Sequence, residues 1–206
     1  MPNKEKEFFV YMKRIIRKTY INDSNVQKDL LETFQPRVHE SNDYKNWIAI
    51  LDLKTCLQCR LNHGKVYLQD EIIYEMPPLH INCRCEIKNI SAVFAGFATQ
   101  DGFSGADYVV KVTGILPSNY ITKQHAKNLG WINFLGNLND VAPGMIIGGD
   151  VYKNRNGHLP HKEGRIWYEA DINYDFGYRN HHRLIYSNDG LIFATYDHYM
   201  TFVQIQ

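Results

Sequence analysis

The spacing of apolar residues differs between the two parts of the C-terminal half. Between residues 104 and 141, apolar positions recur at spacings of three and four, which is typical of short amphipathic helices. From Met145 onward they alternate with polar residues, as in strands that bury one face. Helices followed by an antiparallel meander indicate an α+β domain with N-terminal helices packed on a five-stranded antiparallel sheet.

Helix and strand ends in this half are marked by capping and turn residues. Ser104 and Thr122 are expected to cap helices over 104–113 and 123–129, which Gly114 and Gly130 would end. A glycine bulge is expected at Gly148 and Gly149, and Asn188-Asp189-Gly190 predicts a tight hairpin. The strands are expected over 145–152, 165–174, 181–187, 191–197 and 200–205.

The N-terminal half has a different organisation. Helices are predicted over 4–22 and about 26–34, and a strand over 44–53. The first helix is basic and amphipathic, and packing on its own domain is favoured over a membrane or nucleic-acid surface. A weakly patterned, small-residue segment over 90–101 places a domain boundary near residue 96. The predicted domains are therefore 1–95, a small helical and cysteine-rich module, and 96–206.

Composition narrows the functional classes. The 206 residues can form one large or two small domains, and 44% hydrophobic content is enough to build a core. No apolar run is long enough to span a bilayer, so no membrane insertion is expected. The N-terminus lacks the apolar core of a signal peptide. Since the net charge is only +1, any attraction for nucleic acid must come from local groups of Lys and Arg.

All 4 cysteines lie between Cys56 and Cys85. They form a Cys-x2-Cys pair and, after a gap, a His-x2-Cys-x-Cys group, a spacing that suits a tetrahedral structural zinc. A full set of protein donors leaves no open position for water, which argues against a catalytic metal. Disulfides between the two pairs, or free buried thiols, are the alternatives. Four of five donors would hold the ion: Cys56, Cys59 and Cys83, with His80 and Cys85 competing for the last place.

This segment, from about residue 10 to 90, resembles phage minor head proteins of the Mu F type. The resemblance rests on Asp52-x-x-Thr-Cys56-x-x-Cys59-x-Leu61-x-x-Gly64 and on Pro77-Pro78-x-His80-x-Asn82-Cys83-Arg84-Cys85. Such modules belong to virion assembly and also precede toxin domains in some bacterial proteins. The resemblance implies a packaging or delivery role.

The predicted sheet carries a set of acid–base groups. Glu169 and Asp171 share one face of their strand, Arg183 lies on the next strand, and His198 lies at a later turn. A carboxylate could take the proton of an RNA 2′-hydroxyl, an imidazole could protonate the departing 5′-oxygen, and arginines could neutralise the phosphoryl charge. No metal is needed, because the substrate supplies the nucleophile. Spacing does not choose between Glu169 and Asp171. A surface ion pair of Glu169 with Arg183, and a simple turn role for His198, are the alternatives.

Several longer motifs lie between about residue 103 and the end of the chain. They are Leu116-Pro-x-Asn-Tyr-Ile-Thr-Lys123, Gly136-Asn-Leu-x-Asp-Val-Ala-Pro-Gly144, Ile147-Gly-Gly-Asp150, Glu169-Ala-Asp-Ile-Asn-Tyr174 and Asp197-His198-Tyr199. Through these motifs, this part of the chain resembles the barnase-type bacterial ribonucleases. The resemblance implies Glu169 as general base, His198 as general acid, and Tyr199 beside the site. It implies phosphate and transition-state contacts from Lys123, Arg179 and Arg183.

Two departures from the family pattern concern the substrate cleft. The family's base-recognition loop has serine before Asn-Arg and glutamate after it, whereas here Lys153 precedes Asn154-Arg155 and Asn156 follows. An amide both donates and accepts, so guanine can still bind, but the base preference is left open. His181 and His182 replace a polar and an acidic residue, which makes the cleft more cationic at low pH.

These features predict a metal-independent endoribonuclease for single-stranded RNA, with no cofactor for catalysis. We expect the toxin domain of a bacterial or phage-linked toxin, secreted or delivered into a target cell or carried by a virion. The family resemblance implies a small acidic inhibitor or immunity protein. Phage or secretion machinery would deliver the toxin. The alternative is a non-enzymatic virion or RNA-binding protein with a nuclease-like tail.

Overall fold

A single sheet organises the described part of the chain. The computed structural model describes residues 36–206, so the helices predicted over 4–22 and 26–34 lie outside the described residues. Within 36–206, nine strands form one sheet in the order β2-β1-β3-β9-β8-β7-β6-β5-β4. The strands are β1 His39–Ile48, β2 Val66–Leu68, β3 Glu86–Val93, β4 Tyr120–Ile121, β5 Ile146–Tyr152, β6 Trp167–Asp171, β7 Arg183–Ser187, β8 Ile192–Thr195 and β9 Val203–Ile205, and the helices are α1 Leu57–Asn62, α2 Ala106–Thr113, α3 Lys123–Asn128 and α4 Leu138–Val141.

The mixed α+β class is confirmed, but the prediction of a five-stranded sheet is wrong in extent. The five expected strands are present as β5 to β9, antiparallel to one another. Two parallel pairings extend the sheet: β4 joins β5, and β3 joins β9 with Ala92 opposite Gln204 and Val93 opposite Ile205. These partners are distant in sequence, and local alternation cannot reveal which strand covers an edge.

The glycine bulge predicted on β5 is present. The register of β5 against β6 shifts between Gly148 and Asp150, which confirms the glycine bulge. A side chain at Gly148 would meet the Ala170 Cβ at 2.8 Å, so the close approach of β6 requires glycine there.

The helix caps agree with prediction at α3 and differ at α2. Thr122 Oγ1 accepts a hydrogen bond from the His125 N–H at 3.2 Å, as expected. The predicted cap by Ser104 is wrong, because Ser104 ends a short 3₁₀ turn and α2 begins after Gly105 without a side-chain cap. Gly114 ends α2 in the left-handed region (φ 75°), as predicted.

The sheet has a core on each face. Neighbouring residues Leu184 and Ile185 on β7 point to opposite faces, and each is fully buried. Leu184 packs with Val110 of α2, whereas Ile185 packs with Ile90 of β3. Strands from both sides of residue 96 therefore contribute to the same core, and the domain boundary at residue 96 stays a prediction. Among the described helices, none is long and apolar enough to cross a membrane.

Candidate active site

Glu169 lies on β6 between two hydrogen-bond donors. The residue is 9% exposed. Lys123, the first residue of α3, donates to Oε1, and the Tyr199 hydroxyl donates to Oε2 at 2.6 Å. Burial alone would raise the pKa of Glu169, but Lys123, Tyr199 and the nearby charge of Arg179 outweigh it and hold the pKa below its usual value. Glu169 is therefore an ionised proton acceptor near neutral pH.

Asp171 has a different environment on the same strand. It is 1% exposed and receives Nε and Nη2 of Arg179 at 2.6 and 2.7 Å. The Nε of Arg183 lies 3.0 Å from its Oδ1 as an ion pair. Both carboxylate oxygens are thus engaged by arginines, which leaves Glu169 as the carboxylate without an arginine partner. Sequence spacing placed the two carboxylates together but did not assign this anchoring role to Asp171.

His198 lies in an exposed turn between β8 and β9. Its backbone is left-handed (φ 58°), and its N–H donates to the His181 carbonyl at 3.3 Å. The His181 and His198 ring centroids are 5.2 Å apart. Partial desolvation and the charges of Arg183, His181 and Arg179 lower the pKa of His198, while Glu169 acts in the opposite direction. The imidazole therefore gives up a proton more readily than a free histidine.

Lys123 is positioned by its place at the start of α3. Its backbone N–H donates to the Asp150 carboxylate at 2.9 Å, and its ammonium reaches Glu169. Asp150 follows the glycine bulge of β5, so the bulge aims the carboxylate at the helix start. Sequence reasoning missed this anchor, although an acidic residue directly after two glycines was the available signal.

The loop after β5 contains the expected base-recognition residues. Lys153, Arg155 and Asn156 are exposed. The Asn154 amide binds both backbone groups of Leu159, at 2.8 and 3.1 Å, and its φ of 43° turns the chain. Tyr152 stacks on Tyr199 at 5.3 Å between ring centroids, so this loop adjoins the site.

The five predicted metal donors converge in the N-terminal part. His80 Nε2 lies 3.2 Å from Cys56 Sγ and 3.3 Å from Cys59 Sγ. Cys59, Cys83 and Cys85 form an overlapping group whose sulfur atoms lie within 4.8 Å of one another. All four cysteines are free thiols in the structure. This soft donor set fits zinc, and it supplies more donors than a tetrahedral ion needs.

The pKa values of the cysteine thiols are shifted in different directions by their surroundings. Burial opposes ionisation of Cys83, but hydrogen bonds from the backbone at Cys85 and Leu79 bring its pKa to about 7. Burial and the neighbouring thiols raise the pKa of Cys59. A cation bound by these sulfur atoms would favour their ionised form. Arg84 pairs with both Asp52 oxygens, at 2.6 and 2.7 Å, and ties the two cysteine groups together.

Comparison with known proteins shows that two protein families match different parts of the chain. Residues 104–206 match the ribonuclease family, and residues 10–88 match the family described as Phage Mu protein F like protein. A ribonuclease of Heyndrickxia coagulans is 56% identical over 101 residues, which are 49% of this chain and 92% of that protein. Ribonucleases of Bacillus intermedius and Bacillus pumilus are also 56% identical over 101 residues, and the match spans 62% of each.

Proposed function

Because the chain belongs to the ribonuclease family through residues 104–206 and is an endoribonuclease, we propose that it cuts single-stranded RNA by transesterification at a 2′-hydroxyl. The observation that supports this most directly is the state of Glu169. It is an ionised carboxylate with Lys123 and Tyr199 as donors and Arg179 close by. RNA differs from DNA in the hydroxyl that this base would deprotonate.

The proposed reaction moves one proton onto Glu169 and one off His198. Glu169 takes the 2′-hydroxyl proton, and the 2′-oxygen forms a bond to the adjacent phosphorus. The bond from phosphorus to the 5′-oxygen breaks, and protonated His198 gives its proton to that oxygen. The products are a 2′,3′-cyclic phosphate and a 5′-hydroxyl. The lowered pKa of His198 favours donation to a basic leaving oxygen.

Cationic side chains would stabilise the phosphoryl oxygens as charge accumulates. Lys123, Arg179 and Arg183 lie around the two carboxylates, Glu169 and Asp171. Asp150, which accepts a hydrogen bond from the Lys123 N–H, is a third nearby carboxylate, so stabilisation would depend on where the cationic groups lie and not on a net local charge. Because Asp171 fixes both guanidinium groups before substrate arrives, little reorganisation is needed during the reaction.

Base recognition is assigned to the loop of Lys153, Arg155 and Asn156. Both ends of the Asn154 amide bind the Leu159 backbone, so we propose that Asn154 shapes the loop while its neighbours and backbone contact the base. Lys153 and Arg155 add positive charge beside the cleft, which favours binding of the RNA backbone.

Catalysis is proposed to be independent of metal, because the substrate provides its own nucleophile. The cysteine group is proposed as a structural zinc site that stabilises the N-terminal part, with four of Cys56, Cys59, His80, Cys83 and Cys85 as ligands. No step of the reaction depends on this ion.

The biological role proposed is that of a toxin. The match of residues 10–88 to a phage head-protein family supports packaging, virion association or delivery. A cell that makes a ribonuclease needs an inhibitor, and the cationic cleft suits a small acidic immunity protein. The alternative, a virion or RNA-binding protein without activity, predicts binding of RNA without cleavage.

The experiment uses DNA oligonucleotides that contain one ribonucleotide. We expect cleavage only at that position, with a 2′,3′-cyclic phosphate end, and no cleavage when the ribose is replaced by 2′-O-methylribose. EDTA added at the start of the assay should leave the rate unchanged, and the zinc content of the protein is measured afterwards. Binding without cleavage would support the alternative.

Base preference needs a separate assay. Oligonucleotides with G, A, C or U as the single ribonucleotide are compared by kcat/KM. Faster cleavage after G is expected if Asn156 accepts and donates hydrogen bonds to guanine. Equal rates at all four bases would show that the preference is lost.

A further inference from the structure

The N-terminal part touches the nuclease at the loops that form its active site. The contact is made by the segment from Gly64 to Val66, which ends at the first residue of β2. The Val66 N–H donates to the His158 carbonyl at 2.6 Å. Gly64 lies so close to Met200 that an added Cβ would be 2.2 Å from the Met200 carbonyl oxygen. This segment therefore packs against the base-recognition loop on one side and the His198–Met200 turn on the other.

His158 links these two loops. It is 8% exposed, and its Nδ1 lies 3.2 Å from the Tyr199 carbonyl oxygen. Burial lowers the pKa of His158, and the hydrogen bond to Tyr199 opposes this only in part. A neutral ring with its proton on Nδ1 donates to that carbonyl. The backbone of His158 is thus bound to the N-terminal part, and its side chain is bound to the turn.

Tyr199 contacts both Glu169 and His198. Its hydroxyl donates to Glu169 at 2.6 Å, and its ring lies 4.9 Å from that of the adjacent His198. Both residues have positive φ, so their turn needs support from its surroundings. The Heyndrickxia coagulans ribonuclease, 92% of which is matched by 101 residues, has little chain left for a comparable segment.

We propose that Gly64 and Val66 act through His158 as positioning residues for the turn that carries His198 and Tyr199. The N-terminal part then helps to set the geometry of the active site, in addition to its proposed role in delivery. This inference rests on the proposed function, because its readout is cleavage of RNA by Glu169 and His198. A shift of about 1 Å in a catalytic group costs up to about a hundredfold in rate.

The first test changes His158 in the full chain. In His158→Leu we expect kcat to fall about tenfold or more with KM nearly unchanged, because the turn moves while the phosphate contacts stay. His158→Asn should recover most of the loss, because its amide nitrogen can replace Nδ1 as the donor to Tyr199. Thermal unfolding of both variants is measured, so that loss of fold is separated from loss of position.

The pH profile gives a readout that general destabilisation does not change. The Tyr199 hydroxyl lowers the pKa of Glu169, so displacement of Tyr199 raises that pKa. Activity requires the carboxylate, and the acid limb of kcat/KM should therefore move to higher pH in His158→Leu. Tyr199→Phe, which removes the same hydrogen bond directly, should shift the limb in the same direction.

The second test changes the N-terminal contact. Gly64→Ala adds a Cβ against Met200 at a φ of +81°, whereas Gly144→Ala adds one in open space at a φ of +75°. The backbone strain is matched, so only Gly64→Ala should lower kcat and shift the acid limb as His158→Leu does.

The outcomes separate this proposal from the proposed function. If the wild-type chain does not cut RNA, the proposed function fails. If it does, and His158→Leu or Gly64→Ala keeps the wild-type kcat and pH profile, the positioning role is overturned. Equal loss in His158→Leu and His158→Asn, without a shift of the acid limb, would also overturn it.

Discussion

Two carboxylates that are two residues apart on β6 have different environments because their partners differ. Asp171 is enclosed with Arg179 and Arg183, and Glu169 faces Lys123 and Tyr199. Alternation along the strand placed both carboxylates on one face. It could not distinguish them, since the arginine pairing depends on the register of β7, where Arg183 lies opposite Asp171. The family resemblance, not spacing, singled out Glu169.

Replacing Asp171 should destabilise the protein strongly. Asp171→Asn leaves two largely buried arginines without their carboxylate, and loss of one partner from a buried ion pair costs about 3–5 kcal/mol. Chemical denaturation measures the free energy of unfolding, with Asp70→Asn at an exposed position as the control. A loss as small as that of the control would show that Asp171 does not hold the arginines.

The decrease in kcat/KM at high pH should depend on the charge of His181. In the proposed mechanism His198 acts in its protonated form, so activity should fall as pH rises through its pKa. Positive charge on His181 contributes to lowering that pKa, so His181→Asn should raise it. The basic limb of kcat/KM is then expected at higher pH, with His161→Asn as a control. A shift to lower pH would contradict this electrostatic assignment.

At the scale of elements, most helices and strands of residues 104–206 could be predicted from the sequence. The pairing of the edge strands, β3 with β9 and β4 with β5, could not. Thr122 and Gly114 act locally, so their roles could be deduced from the sequence. The strands begin or end a few residues inside the predicted ranges, because adjoining residues turn toward the site, as His198 and Tyr199 do with positive φ. The Ser104 cap was predicted wrongly because Ser104 belongs to a 3₁₀ turn and α2 begins after Gly105 without a side-chain cap. Asp107 in the first turn of α2 accepts hydrogen bonds from the Gly96 and Ala98 backbone, an interaction set by tertiary packing.

The cysteine group should bind zinc and support α1. We expect about one zinc per chain after purification under reducing conditions, and a lower unfolding temperature after its removal by a chelator. Cys59→Ser should lose the ion, because Cys59 belongs to both donor groups.

Single variants then identify the fourth ligand. His80→Ala and Cys85→Ser are compared by elemental analysis, and one of them should retain zinc, since only four donors are needed. Absence of zinc from the wild-type protein would remove the metal site from the account.

At the scale of the whole molecule, the sheet joins parts that the sequence presents as separate. The confinement of the cysteines to the N-terminal half and the weakly patterned segment near residue 96 indicated two domains. The structure pairs β3 with β9 and buries Val93 and Ile205 in one cluster. The sequences of β3 and β9 do not indicate that the two strands pair, because each sequence would also suit a strand at an exposed edge.

The continuous sheet predicts cooperative unfolding. Calorimetry of the full chain should show one main transition, because the cores on both faces include residues from before and after residue 96. Ile205→Ala should shift this transition as a whole, with a loss of about 2–5 kcal/mol. Two well-separated transitions, only one of them sensitive to Ile205→Ala, would contradict the shared core.

The measurement that tests the central claim most directly is product analysis by phosphorus NMR with a dinucleotide substrate. Wild-type protein should form the 2′,3′-cyclic phosphate, and Glu169→Gln and His198→Asn should each lower kcat by about 10²–10⁴-fold with the fold intact. Wild-type rates in Glu169→Gln, or a product with a 5′-phosphate end, would contradict acid–base transesterification by Glu169 and His198.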